Sequence, residues 1–213
     1  EANGRPIDCD LYVSEINGVP VYLLDNEFIN HDSPVYHGDW TLDGLKYVTF
    51  SLAILEAARY LDWKIDILHA NDWHTALAVY ALRSIYADDP FFAQVKTILS
   101  VHNLPFNGWG SQEAMTSLGF EAGTDPDLPD WAKFTPLPLG LSAADKVIAV
   151  SPNYALEILT PEFGCGMDSY LQKHADKVMG ILNGIDETRW DPSTDTAISS
   201  NFSLENIEGK FKN

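Results

Sequence analysis

Lys96–Gly108 reads KTILSVHNLPFNG, and this stretch decides the fold. A short apolar run, Thr97–Val101, stops abruptly at His102-Asn103 and passes into a loop with proline and glycine, the pattern of a buried strand ending in a site loop. Two further segments repeat it: Asp66–His74 (DILHANDWH) and Lys177–Asp186 (KVMGILNGID). In an open parallel sheet covered by helices, ligands bind outside the carboxyl ends of the strands, so these three loops are expected to converge on one crevice.

Working outward, strands are expected at about 65–68, 95–101, 147–150 and 178–182, with helical patterns at 73–86, 137–144, 152–159 and 167–174. That βαβ succession requires parallel strands and right-handed crossovers, so the fold class is α/β. Leu45, Val48, Leu52, Leu55 and Ala58 recur at helical spacing up to Leu61 and predict a helix packed on the sheet. Alternation in Asp10–Asp25, broken by Asn17-Gly18, predicts a β-hairpin with a type I′ turn. Pro126, Pro129, Pro136 and Pro138 make the stretch before Gly140 irregular, so a helix there should start late. From Asp191 large apolar residues become scarce, which predicts a linker and then a short helix from Ser203. A hairpin ahead of any βαβ unit and a linker at the end together read as a fragment cut at both ends, organised as residues 1–190 and 191–213.

The chain has 213 residues, 46% of them hydrophobic, enough for a sizeable core. Thirteen Lys and Arg against 31 Asp and Glu give a formal charge of −18, a field that repels nucleic acid and anionic membranes. A neutral ligand such as a glucan meets no such obstacle, whereas an anionic nucleotide needs a local cationic pocket. No Gly-x-Gly-x-x-Gly or Gly-x-x-x-x-Gly-Lys loop is present to form one. No apolar run approaches the ~20 residues of a membrane span, and a cytoplasmic location is the expectation. Cys9 and Cys165 stand far apart and read as structural thiols, not as a disulfide or metal pair.

His69, Asp72 and His74 invite a metal reading, but the two histidines are five residues apart and span a strand end and the next helix, unlike the i, i+4 pair of a helical metal site. No metal is expected. Asp72 suits capping of the helix that begins at Trp73, and a capping residue can also face a ligand. His102 is either a hydrogen-bonded structural residue or, given its strand-end position, a functional one. Asn103 follows it, and Phe106 and Trp109 are placed to stack on a sugar ring. Asn183-Gly184 reads either as a turn or as part of the crevice. There is no Gly-x-Ser-x-Gly elbow and no activated cysteine, so nucleophilic hydrolysis is not supported.

Taken together, HANDWHTALAVYALR, TILSVHNLPFNGW, AADKVIAVSPNYALEI, the GCGMDSYL stretch and ILNGIDETRWDPSTD resemble bacterial glycogen synthases and plant starch synthases, the family-five retaining glucosyltransferases. The resemblance runs from about Val19 to the C-terminus. It implies a Rossmann-like N-terminal, acceptor-side domain of a two-domain GT-B enzyme, with a C-terminal domain that holds most of the nucleotide lying outside this chain. It further implies transfer of glucose from ADP-glucose, or UDP-glucose, to the non-reducing end of an α-1,4-glucan with retention, no cofactor, and no protein nucleophile, because the donor phosphate assists the incoming hydroxyl.

By the same resemblance, His102 matches the histidine beside the transferred glucose and Asp72 the acidic residue of the His-x-x-Asp-Trp-His motif, the catalytic pair. Asn183 matches the asparagine of Leu-Asn-Gly-hydrophobic-Asp, and Tyr36, within Ser-Pro-Val-Tyr-His, matches a tyrosine near the glucose; with Asn103 and Trp73 these form the expected substrate-binding set. His69 and Trp73 are expected to shape the loop. The chain departs from the family in lacking the Lys-x-Gly-Gly-Leu donor loop, in Pro138-Leu139-Gly140 where Lys-x-Gly is usual, and in Asn71 where His is more common before Asp72. The expectation is therefore a polypeptide inactive alone, prone to self-association through the apolar surface the missing parts would cover. A non-catalytic glucan-binding module and a related retaining transferase with another donor or acceptor are the alternatives.

Overall fold

The computed structural model describes residues 6–213 and divides into two compact units, one ending at Ile181 and one comprising Leu182–Asn213. In the first, β3 (Ile67–Asn71), β4 (Lys96–Val101), β5 (Lys146–Ala149) and β6 (Val178–Gly180) form a parallel sheet in that spatial order. Each neighbour is reached by a helical crossover: α2 (Asp72–Ala81) after β3; α3 (Gln112–Ser117) and α4 (Pro136–Ala143) after β4; α5 (Pro152–Glu157) and α6 (Asp168–Lys173) after β5. This is the expected α/β architecture. Leu99, Val101, Val147 and Ala149 of the central strands are fully buried, as are Ala76–Val79 of α2 and Leu137, Leu139 and Leu141 of α4. Helices α2 and α4 touch closely: a Cβ on Gly140 would come within 2.6 Å of the Ala76 Cβ, so only glycine permits this approach.

The boundaries differ from the sequence reading for local reasons. Strand β3 lies two to three residues later than 65–68, because pairing with β4 sets it (Asn71 opposite Ser100) and the His69 ring bonds the Ser100 hydroxyl at 2.7 Å. The 73–86 pattern supports a regular helix only to Ala81; Arg83 and Ser84 then bond Tyr80 and Ala81 in three-residue turns. Helix α4 starts at Pro136, since proline is tolerated in a first turn.

Ahead of the sheet, β1 (Asp10–Ile16) and β2 (Val19–Asp25) pair antiparallel, and Asn17 (φ +52°) and Gly18 (φ +78°) make the predicted type I′ turn. Helix α1 (Trp40–Tyr60) begins five residues earlier than the apolar spacing shows, because Asp39 caps it by accepting from the Thr41 and Leu42 amides. In the second unit the helix expected from Ser203 is absent. The Ser203 hydroxyl instead accepts from the Glu205 and Asn206 amides, closing a local turn, and only a 3₁₀ turn over Glu208–Lys212 follows. Cys9 and Cys165 are both free thiols and both exposed.

Candidate functional site

The ends of β3 and β4 are stitched together by Asp72. Its Oδ1 accepts from the backbone amides of His102, at 2.7 Å, and Asn103, at 3.4 Å. Asp72 does not cap α2: Asn71 holds the cap position, without a side-chain bond. Its backbone has φ +52°, the left-handed region, which costs an L-residue on the order of 1 kcal/mol and is concentrated at functional sites. The Thr75 hydroxyl enforces the bend, accepting from the Asn71 amide at 2.7 Å and donating to the Asn71 carbonyl at 2.9 Å. The His102 ring is exposed and its Nε2 lies 3.1 Å from the Asn71 Oδ1.

Beside this stitch opens a cavity of about 520 Å³ lined by Tyr36, Gly38, Trp40, Asp43, Asp72, Trp73, His74, Asn103 and Phe106. The structure thus brings Tyr36, Asp72, Trp73 and Asn103 to one wall and ties His102 to it through Asp72. Asn183 is exposed and belongs to the second unit. Strand β6, which leads toward it, is separated from β4 by β5. Trp73 is 3% exposed, and a Cβ on Gly108 (φ +85°) would meet its ring at 2.7 Å, so the glycine after β4 lets the tryptophan close the floor. Phe106 is half exposed on the cavity, an aromatic face of the kind that stacks on sugar rings. A larger hollow, about 710 Å³, lies between the hairpin and α1, lined in part by Asp8, Leu24, Leu52, Glu56 and Tyr86; none of the expected site residues reaches it.

One contributor escaped the sequence reading, and a second was weighed there only as a metal ligand. Asp43 is 3% exposed, and its Oδ1 accepts from both the amide and the Nδ1 of His37, at 2.8 and 2.9 Å. Buried Lys46 donates to the Pro34 carbonyl at 2.6 Å and Tyr47 to that of Val35 at 2.6 Å, fixing the Tyr36 segment on α1. Residues 26–43 lack any periodicity, so their placement had no sequence signal. His74 is the second: burial pushes its pKa below the ordinary value, against the charges of Asp72 and Asp43 and with that of Lys46. Burial, and then Tyr36 and Asp43, push the Tyr47 hydroxyl up to about 12.

His69, Asp72 and His74 do not converge as a metal triad. They bond Ser100, the His102 amide and Tyr36 respectively. The donor atoms of Asp125, Asp127 and His174 do lie within 4.8 Å of one another, but Lys173 holds Asp127 at 2.6 Å and the Tyr170 hydroxyl donates to Asp125 at 3.2 Å, an internal ion-pair network. No helix among the described residues is long and apolar enough to cross a membrane.

The sequence profile of the starch synthase catalytic domain matches residues 2–173. A glycogen synthase of Bacillus cereus (strain B4264) is 37% identical over 209 residues, covering 96% of this chain and 43% of the relative. One from Lacticaseibacillus casei (strain BL23) is 36% identical over 100% of this chain and 44% of its own length. The solved catalytic domain of starch synthase IV from Arabidopsis thaliana, bound to ADP and acarbose, superimposes with a TM-score of 0.82 at 26% identity, over 99% of this chain and 44% of that one. The chain therefore spans less than half the length of the proteins it matches. Matched by that profile over most of its residues, the chain belongs to the starch synthase catalytic domain family of glycosyltransferases.

Proposed function

We propose that this chain is the acceptor-side part of a glycogen or starch synthase that transfers glucose from ADP-glucose to the non-reducing end of an α-1,4-glucan with retention. Residues 1–190 serve as the N-terminal Rossmann-like domain and 191–213 lead toward the domain that holds the nucleotide. The observation that carries the reading is the Asp72 stitch: a strained carboxylate at the carboxyl end of β3 fixes the His102 main chain beside an aromatic cavity. Family membership supports the glucosyl chemistry, and the Arabidopsis structure bound to ADP and acarbose supports an adenine nucleotide and an oligosaccharide as ligands.

In this reading the ring face of Phe106 receives the apolar face of a glucose unit over a floor closed by buried Trp73, while Asp43, Asp72 and Asn103 offer polar atoms to its hydroxyls. His102 stands beside the transferred glucose and stabilises charge developing at its anomeric carbon, Asn183 of the Leu-Asn-Gly segment serves as a further glucose-binding residue, and the donor phosphate accepts the proton of the incoming hydroxyl. The acidic surface, formally −18, agrees with an anionic donor held mainly by another domain.

The test is transfer of labelled glucose from ADP-glucose to glycogen by the parent polypeptide, with this chain assayed beside it and UDP-glucose as a second donor. Transfer by the parent and none by the chain is the expected result. His102→Ala in the parent should slow transfer by about a hundredfold, the scale of a lost transition-state electrostatic contact. Normal turnover by a folded His102→Ala parent would remove the histidine from the mechanism, and turnover by the chain alone would overturn the division of labour between domains.

A further inference from the structure

His74 has no part in the function proposed above, yet it lines the same cavity. Its ring lies 4.7 Å from that of Trp73, 4.6 Å edge-on from Tyr47 and 5.7 Å from Tyr36, and its carbonyl accepts from the Ser51 hydroxyl at 3.2 Å. With the imidazole so confined, Nε2 meets the Tyr36 hydroxyl at 2.6 Å. Both residues line the cavity, Tyr36 exposed and His74 half-buried.

Two proton placements satisfy that contact: the phenol donates to a bare Nε2, or an Nε2–H donates to the phenol oxygen. A phenol is the better donor and an imidazole nitrogen the better acceptor, so the first arrangement is favoured whenever the ring is neutral. The surroundings keep it neutral. Burial opposes charging, Lys46 adds to this, and the Asp72 and Asp43 carboxylates only partly offset it. Tyr47, packed on the same ring, stays protonated.

We infer that His74 is a positioning residue of the cavity: its Nε2 takes the Tyr36 hydroxyl hydrogen, which turns the lone pairs of the Tyr36 oxygen toward the cavity as an acceptor for a hydroxyl donated by the ligand. The ligand's identity as a glucan end rests on the proposed function; the Tyr36–His74 pairing does not. A fixed acceptor selects against groups that cannot donate, and it spares the ligand the cost of ordering a freely rotating phenol.

The pairing is read directly, without ligand, from the long-range proton–nitrogen spectrum of His74 in this chain near neutral pH. Free neutral imidazole prefers the Nε2–H tautomer; the expected result is the opposite tautomer, Nδ1–H, reverting toward Nε2–H in Tyr36→Phe. An Nε2–H ring in the unsubstituted chain overturns the inference, and this measurement needs no destabilising variant. Titration with maltotetraose then reads the consequence. Tyr36→Phe and His74→Phe should each weaken binding by about 3- to 10-fold, the range of one hydrogen bond. The double variant should be no weaker than the worse single one, and His74→Gln, which keeps an acceptor, should restore most of the loss. Additive losses, or no loss in His74→Phe, overturn the positioning role. An Nδ1–H ring in a chain that does not bind maltotetraose would sink the glucan reading and support the pairing, which separates the two failures.

Discussion

The two ends of β4 carry the same device for opposite purposes. At the carboxyl end, Asp72 of the β3–α2 junction accepts from the His102 and Asn103 amides. At the amino end, Asp145, just ahead of β5, accepts at Oδ2 from the Thr97 amide at 2.8 Å and the Thr97 hydroxyl at 3.1 Å, while its own amide donates back to that hydroxyl at 2.9 Å. Asp145 also meets Arg83 at 3.2 Å. Each aspartate clamps a neighbouring strand through main-chain donors. Asp72 does so from a left-handed backbone on a cavity wall; Asp145 has an ordinary φ and lines neither cavity. Strain and an open face distinguish the end at which the ligand site is proposed, and relaxed, reciprocal bonding marks the end that holds the sheet together.

The largest expected effect follows from exchanging charge at the strained end. Asp72→Asn in the parent enzyme keeps an oxygen for the two amides and tolerates positive φ, yet removes the carboxylate from the cavity. Glucosyl transfer should fall by about a hundredfold, while the thermal stability of this chain should change by less than about 1 kcal/mol. A stability loss as large as that at Asp145, with transfer preserved, would make Asp72 a second structural clamp and erase the contrast.

Next in size is the relaxed end. Thr97 is fully buried, so Asp145→Ala strands its amide away from water, at a cost of about 2 kcal/mol. Denaturant unfolding of the chain measures it, and maltotetraose binding by the folded fraction should be unchanged. If Asp145→Ala weakens the sugar as much as Asp72→Asn does, the two ends are coupled through β4 and the comparison must be redrawn.

How far the sequence reveals these roles differs with the physics of each residue. The apolar run before His102 and the Asn17-Gly18 turn are legible because hydrophobic burial and positive φ leave local marks. Asp72 is legible as a polar strand-end residue, and its motif identifies the family, but its actual bond is not: sequence favours a helix cap, and a main-chain clamp depends on a φ value that only the folded chain imposes. Asp43, His37 and His74 are less legible still. Their pairing depends on an aperiodic segment laid across α1 and held by Lys46 and Tyr47, a contact made by tertiary packing alone.

The smallest expected effect is electrostatic and tests the structural end alone. Burial would raise the Asp145 carboxyl, but the bonds from Thr97 and the charges of Arg83 and Lys96 outweigh it and hold the group below its ordinary value of 3.8. A carboxylate held low in the folded chain favours folding at pH above the unfolded value. That contribution fades as pH falls from about 3.8 through the depressed folded value, below which both states are protonated. The chain should therefore lose stability on acidification, and Asp145→Asn, less stable at neutral pH, should lose less of what remains over the same interval. Because the side chain is 40% exposed, solvent screens the charge and the difference in slope should stay under that of one whole proton. Equal slopes in the two proteins would show that Asp145 clamps Thr97 by hydrogen-bond geometry without help from its charge. A variant that loses more stability in acid than the unsubstituted chain would reverse the sign assigned to this end of the sheet.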